Sequence, residues 1–165
     1  MKLDVGCGTN KVEGFIGIDK YNAEGVDVIF DLNTIQRGVQ MPYKDSSVSE
    51  INCSHVLEHV TSVIAVINEF HRILEPVSKD RKSGGLLRIV VPSARSWTAF
   101  ASPLHRNYFV PETFRNYFAS DMLNETTDVE LKNAVLPWHI EKLEWTPAKS
   151  FDISQEIVCV MRPLK

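Results

Sequence analysis

LDVGCGTNKVEGFIGID (residues 3–19) places a glycine-rich turn between two short apolar segments. Leu3–Val5 and Phe15–Ile18 are predicted to be buried β-strands, because each is a brief apolar run bounded by turn-forming residues. Glycine has no Cβ, so a ligand can approach the backbone closely at Gly6 and Gly8. The turn therefore predicts a nucleotide-type cofactor at the end of the first strand, with a plain tight turn as the alternative.

Two other cofactor motifs fit this turn poorly. A dinucleotide fingerprint needs a third glycine where the chain has Lys11, and an acidic residue about twenty positions later, whereas Asp19 comes too early. A phosphate-binding loop needs Gly-Lys-Ser/Thr, which the turn lacks. A dehydrogenase is therefore the least favoured function, and no phosphate-binding loop is predicted.

Further strands and one long helix follow the turn. The other predicted strands are Val26–Phe30, Val48–Cys53, Leu86–Val91 and Gln155–Met161. From Val56 to Leu74, apolar residues recur at three- and four-residue steps, which predicts an amphipathic helix that ends before Pro76. This alternation of strands and helix predicts an α/β fold, with a parallel sheet and ligand sites at the carboxyl ends of its strands.

The connections between the first three predicted strands are unusually short. Gly6–Gly14 supplies nine residues and Asp19–Gly25 supplies seven, whereas a helical crossover between parallel strands takes about a dozen or more. We therefore expect the first helices to be shortened to turns. This half of the sheet should then be thinly covered.

The composition sets limits on the class of protein. The 165 residues fit one domain, and the net charge of −3 gives no general attraction to nucleic acid or anionic membranes. Neither a membrane span nor a secretory signal is predicted. Three widely spaced cysteines, Cys7, Cys53 and Cys159, form no Cys-x-x-Cys pair. They predict reduced thiols and a cytoplasmic location.

Several sequence blocks in register carry a family resemblance. They are DVGCGT (4–9), Asp19, Asp31-Leu32, MPY (41–43), CSHVLEHV (53–60) and GGLLRIVVP (84–92). The series resembles the class I S-adenosylmethionine-dependent methyltransferases, and in particular the small ubiquinone-pathway-like branch, methyltransferase type 11. The resemblance covers residues 3–92. It implies a Rossmann-like, mostly parallel twisted sheet with an antiparallel last strand, in a minimal version with shortened first helices.

The same resemblance implies one methyltransferase domain over residues 1–165. Residues 1–92 would bind the cofactor, residues 93–150 would form a lid or substrate region, and residues 151–165 would form the C-terminal strand. The helix that normally follows the glycine turn is missing. An open cofactor site, or one covered by a homodimer partner or another subunit, would follow.

The resemblance also implies roles for single residues. Asp4 would face the ammonium group of S-adenosylmethionine through water, and Asp19 would accept hydrogen bonds from both ribose hydroxyls. Asp31 would meet the adenine or merely form an Asx turn, and Ser54 would lie beside the sulfonium or cap a helix. The full set of implied cofactor-binding residues is Asp4, Gly6, Cys7, Gly8, Asn10, Asp19, Lys20, Asp31, Leu32 and Ser54.

A second group of residues offers metal ligands. His55, Glu58 and His59 are spaced so that a helix would project them from one face, and His105 is a further candidate. The pattern is similar to the Glu-x-x-Glu-His motif of metal-dependent small-RNA 2′-O-methyltransferases, with His55 in place of the first glutamate. Two imidazoles and a carboxylate would favour zinc, iron or manganese. The alternative is that Glu58 and His59 only pack, with His55 and His105 as catalytic residues and His55 as the general base.

The acceptor is the least defined part of the sequence-based hypothesis. Aromatic and arginine residues interleave in residues 93–118, and they could stack on a planar or nucleic-acid acceptor or simply form a lid and its core. The predicted function is methyl transfer to an oxygen or nitrogen atom of a small molecule, sugar or lipid-linked glycan. The alternatives are metal-assisted RNA methylation, which the net negative charge disfavours, and a non-catalytic methyltransferase-like subunit.

Overall fold

The computed structural model describes residues 1–77, 79, 83–125, 127–145 and 155–165. Its strands are β1 (Lys2–Val5), β2 (Ile16–Asp19), β3 (Val28–Ile29), β4 (Glu50–Ser54), β5 (Leu86–Pro92), β6 (Trp138–Trp145) and β7 (Glu156–Pro163). The helices are α1 (Val63–Ile73), α2 (Thr98–Ala101), α3 (Pro111–Tyr117), α4 (Ser120–Glu125) and α5 (Val129–Ala134), with a 3₁₀-helix at Leu32–Arg37. Of the described helices, none combines the length and the apolar character needed to cross a membrane.

The strands form one sheet in the order β3-β2-β1-β4-β5-β7-β6. The first five strands pair in parallel, and β7 runs antiparallel to both β5 and β6. The Rossmann-like, mostly parallel sheet with an antiparallel last strand is therefore confirmed. Strand β6 was not predicted, although it lies in the main sheet within the residues assigned to the lid. The predicted boundary at residue 151 lies outside the described residues.

Two connections have the compact form that their lengths predict. Residues 6–15, between β1 and β2, and residues 20–27, between β2 and β3, form turns without a helix. Gly6 donates its N–H to the Ile18 carbonyl at 2.7 Å, and Asp27 donates its N–H to the Gly17 carbonyl at 2.9 Å. These bonds tie each turn directly to the neighbouring strand, which removes the need for a covering helix.

The long helix begins later than its apolar spacing predicts. Residues 57–59 form a turn, and α1 starts only at Val63, after Ser62 has accepted the Ala65 N–H at 3.3 Å. Leu57 and Val60 are buried all the same. The prediction of a helix from Val56 was therefore wrong. Leu57 is buried in the turn and Val60 directly after it, and their three-residue spacing is the same as that of apolar residues on a helix. The alternative role of Ser54 as the helix cap also fails, since Ser62 holds that position.

Within the described residues, the hydrophobic core cluster lies on one face of the sheet. Along β7, Ile157, Cys159 and Met161 are fully buried, and they join the same core cluster as the apolar side of α1. The residues between them are only half-buried. In-register neighbours on adjacent strands share a face, and Arg88, in the middle of β5, is exposed on the opposite one. No described helix covers that point of the sheet.

Candidate functional site

A cavity of about 300 Å³ opens at the carboxyl ends of β1, β2 and β4. This edge is where open α/β sheets bind ligands. Five of the ten predicted cofactor residues line it, namely Gly6, Asp19, Lys20, Asp31 and Leu32. Its other walls include Tyr21, Phe30, Val56 and Leu104, which the sequence analysis did not single out. Three of these four, Tyr21, Phe30 and Val56, are next to a predicted site residue at a strand end, so strand-end position was the available signal.

Asp19 is the fixed acidic group of this cavity. Its Oδ2 accepts the Gly8 N–H at 3.0 Å, and its Oδ1 accepts the Tyr21 N–H at 3.0 Å. Each carboxylate oxygen retains a second lone pair that can accept another hydrogen bond. The two backbone bonds therefore orient the carboxylate without exhausting its capacity for the two hydroxyls of a ribose.

Glycine is favoured at position 6 and at position 8 of the turn for different physical reasons. Gly6 has φ +71°, and a Cβ there would lie 2.2 Å from Val56 Cγ2, so packing alone demands glycine. Gly8 has φ +50°, but a Cβ there would meet no protein atom within 4 Å. The space above Gly8 is therefore open to a ligand.

Asp4 already has two protein partners. It is almost fully buried, and its oxygens accept the Val12 N–H at 2.8 Å and the Asn52 Nδ2–H at 2.7 Å. These bonds hold the far end of the glycine turn against β4. The water-mediated contact with an ammonium group stays a prediction, since neither Asp4 nor Asn52 lines the cavity.

Three further predicted cofactor residues, Cys7, Asn10 and Ser54, do not line the cavity. Cys7 is buried, and burial raises the pKa of its thiol. Asn10 is exposed, and its N–H donates to the Cys7 carbonyl at 3.0 Å. Ser54 is the last residue of β4, outside the cavity wall. Asp31 forms an Asx turn, because its Oδ1 accepts the Asn33 N–H at 2.9 Å, and it faces the cavity as well.

His55 occupies a special position at the end of β4. Its φ is +56°, which is uncommon outside glycine and concentrated at functional sites. The ring lies between two carboxylates: Nδ1 is 3.4 Å from Glu58 Oε1, and Nε2 is 3.0 Å from Glu156 Oε1. Glu58 first, and Glu156 in addition, raise the pKa of His55. Glu156 was missed by the sequence analysis, since it is 101 residues away in the chain.

Three of the four predicted metal ligands come together. Donor atoms of Glu58, His59 and His105 lie within 4.8 Å of one another. His105 Nδ1 contacts the Ala99 carbonyl at 2.7 Å and His59 Nδ1 contacts the Leu104 carbonyl at 3.3 Å, so both Nε2 atoms are left available. Glu58 is 1% exposed, and among the described residues only His55 forms an ion pair with its carboxylate, at 3.4 Å, while the carboxylate oxygens accept no hydrogen bond. His55 itself is outside this cluster.

Part of the sequence and the whole fold of this chain are similar to known methyltransferases. Residues 13–79 match the family model of a methyltransferase domain, and no curated protein sequence matches the chain. A Methanosarcina mazei S-adenosylmethionine-dependent methyltransferase shares 14% identity and a TM-score of 0.59, over 99% of this chain and 92% of its own. A chain of the Haloferax volcanii complex between the Trm112 methyltransferase activator and a methyltransferase shares 12% identity and a TM-score of 0.60, over 99% and 82%.

A third similar structure has a different activity. The [4+2]-cyclase SpnF shares 15% identity and a TM-score of 0.60, over 99% of this chain and 75% of its own. Similarity at this level of identity establishes the fold, while the function depends on the site. Residues 13–79 thus match a methyltransferase-domain model, and the chain has the fold of the S-adenosylmethionine-dependent methyltransferase structures it resembles, as its sequence blocks predicted.

Proposed function

We propose that this protein transfers the methyl group of S-adenosylmethionine to an oxygen or nitrogen atom of a small molecule, sugar or lipid-linked glycan. The observation that carries the proposal is the oriented Asp19 carboxylate at the end of β2, inside the cavity and bonded to the glycine turn. Asp31 adds a second carboxylate to the cavity wall. Two carboxylates suit a ligand that carries a sulfonium and an ammonium charge. Three free, buried cysteines support a cytoplasmic location.

The proposed chemistry is direct displacement at the methyl carbon. Bound S-adenosylmethionine supplies a methyl group on a positively charged sulfur. A bond forms between the acceptor atom and this carbon while the sulfur–carbon bond breaks, and S-adenosylhomocysteine leaves. His55, on the cavity wall, would take the acceptor proton. The Glu156 side chain is 45% exposed, so it can leave Nε2 when an acceptor enters. His105 would be the second catalytic candidate.

Calorimetric titration with S-adenosylmethionine tests the cofactor, with Gly8→Ala and Gly14→Ala as a matched pair. Both glycines have positive φ, at +50° and +79°, and a Cβ at either would meet no protein atom within 4 Å. Each variant should lose about 1 kcal/mol of unfolding free energy to backbone strain. We expect micromolar binding by the wild type, at least tenfold weaker binding by Gly8→Ala, and unchanged affinity in Gly14→Ala.

The other outcomes of this titration are informative. Equal affinities for the two variants would show that the ligand does not cross the turn at Gly8. No binding by the wild type would reject a free-standing enzyme and favour the non-catalytic or partner-dependent alternative. The similar fold of a chain from the complex with the Trm112 activator supports that alternative. A second copy of this chain or a different subunit would then cover the cavity.

We further propose that Glu58, His59 and His105 bind a divalent cation. The specific support is the buried Glu58 carboxylate without a hydrogen bond, beside two imidazoles whose Nε2 atoms are available. His55 Nδ1 is 3.4 Å from Glu58 Oε1, but a buried carboxylate whose oxygens lack hydrogen bonds is costly, so the site fits a further cation. Two imidazoles and one carboxylate favour zinc, iron or manganese over magnesium. A bound cation would supply a Lewis acid for the acceptor oxygen.

Cobalt(II) titration, followed by visible absorption, tests this cation site. We expect absorption bands for the wild type and at least tenfold weaker binding by Glu58→Gln, because the neutral amide removes the only carboxylate ligand. His139→Gln is the control, since His139 lies on β6 outside the cluster. If wild type and Glu58→Gln bind cobalt equally, or if neither does, the cluster is a packing arrangement. RNA methylation, the alternative tied to a metal, is opposed by the net charge of −3.

A further inference from the structure

The aromatic residues after β5 divide into two groups by burial. Phe109, Phe114 and Phe118 pack in the core, with successive ring centroids 5.8 Å and 6.1 Å apart. The others in residues 93–118 stay on the surface: Trp97 is 50% exposed, Phe100 60%, Tyr108 48% and Tyr117 48%. A role in the core therefore accounts for three of the seven aromatic side chains in this segment.

Three of the exposed aromatic residues lie close together in the chain with the exposed Leu104, and we call this group the aromatic shelf and define it as Trp97, Phe100, Leu104 and Tyr108. Phe100 and Tyr108 stack, with ring centroids 4.7 Å apart and planes inclined by 18°. Trp97 is three residues before Phe100 at the start of α2, so the two lie on one side of that turn. Leu104 is 69% exposed. Grouped apolar exposure of this kind marks a binding surface.

The shelf continues directly into the cofactor cavity. Leu104 is a member of the shelf and also lines the cavity. Its carbonyl contacts His59 Nδ1 at 3.3 Å, and the next residues bond to the same turn, since Arg106 donates its N–H to the Glu58 carbonyl at 2.7 Å. A molecule lying on the shelf therefore has one end at the mouth of the cavity, where the methyl group would be delivered.

The charges around this mouth limit what the molecule can be. Asp19, Asp31 and Lys20 line the cavity, and the half-exposed Glu156 carboxylate lies against His55. The three carboxylates outnumber Lys20, which disfavours phosphate groups and counts against a nucleic acid even though bases also stack on aromatic rings. A neutral molecule with a flat apolar ring and a hydroxyl or amine group could stack on the shelf and would not be repelled by the carboxylates at the mouth of the cavity.

We infer that the aromatic shelf binds the methyl acceptor, and that the acceptor carries a planar, uncharged ring system with a hydroxyl or amine group. This inference rests on the proposed function and narrows its acceptor class away from free sugars. The ring would stack on an outer face of the Phe100–Tyr108 pair. Its polar group would point over Leu104 toward His55.

Calorimetry with 2-naphthol, on protein loaded with S-adenosylhomocysteine, tests this subsite. We expect saturable binding, weakened about tenfold in Phe100→Ala and in Trp97→Ala, because each loses one stacked aromatic face. Val129→Ala is the control, since Val129 is as exposed as Leu104, at 69%, but lies on α5 outside the shelf and the cavity. Both shelf variants change exposed side chains, so they should fold.

Three results would overturn the inference. These are no saturable naphthol binding, equal naphthol affinities in Phe100→Ala and Val129→Ala, or a uridine decamer that binds the wild type and loses affinity in Phe100→Ala. A separate titration with S-adenosylmethionine distinguishes failure of this inference from failure of the proposed function. If that cofactor binds and naphthol does not, only the acceptor class is wrong. If the cofactor does not bind, the proposed function itself fails, and the shelf loses its role as an acceptor site.

Discussion

Asp19→Ala should weaken S-adenosylmethionine binding by about a hundredfold or more. A hydrogen bond to a charged group contributes about 1.5–3 kcal/mol, and the Asp19 carboxylate faces the cavity with one free acceptor position on each oxygen. Loss of two such bonds to a ribose costs about 3 kcal/mol or more, which is at least about a hundredfold in Kd. Isothermal calorimetry on the purified variant measures this change.

Asp27→Ala is the matched control for this experiment. Asp27 also accepts a glycine N–H, from Gly17 at 2.7 Å, and pairs with Lys11 at 2.8 Å, but it does not line the cavity. Both variants therefore leave one glycine N–H without its carboxylate partner, and only Asp19→Ala removes a cavity carboxylate. Comparable cofactor affinities in the two variants would contradict the ribose-binding role of Asp19.

Ile157→Ala should lower the free energy of unfolding by about 2–5 kcal/mol, whereas Val158→Ala, one residue further along β7, should cost about 1 kcal/mol or less. Ile157 is fully buried in the core cluster beneath the helices, and its truncation leaves a cavity there. Val158 is half-buried on the other face of the same strand, where strand preference is the main term that changes.

Urea denaturation followed by circular dichroism provides both values. The two substitutions share a strand and the same final residue, so the difference between them isolates the burial of one sheet face. Equal losses for Ile157→Ala and Val158→Ala would mean that the second face is also packed, contrary to the exposure of Arg88 on it.

The sequence predicted the elements in which the apolar pattern matches the secondary structure that the residues adopt. Strands β1, β2, β4, β5 and β7 are short apolar runs, and each is recovered to within a few residues. Strand β6 escaped prediction because Glu141, Lys142 and Glu144 interrupt its apolar pattern, as is common in an edge strand. The start of α1 was misplaced because Leu57 and Val60 are buried in a turn with helical spacing.

Site residues that directly follow a strand could be predicted from the sequence. Site residues that meet through the pairing register of two distant strands could not. Asp19 and Asp31 follow predicted strands, so their place at the ligand-binding edge could be expected. Glu156 reaches His55 only because β7 runs antiparallel to β5, with Glu156 opposite Pro92. No local pattern encodes that register. The aromatic shelf was likewise hidden, since burial divides Phe100 and Tyr108 from Phe109 in ways that spacing does not reveal.

A core on one face of the sheet affects the cooperativity with which this domain unfolds. In a three-layer α/β protein, one helical layer can detach while the other still protects the sheet. Within the described residues of this chain, the sheet has a single hydrophobic interface, made with α1 and the helices beside it. Release of these helices would expose the whole apolar face at once, so helix loss and sheet loss become one cooperative event. The glycine turn, tied to β1, β2 and β4, would dissolve in that same step.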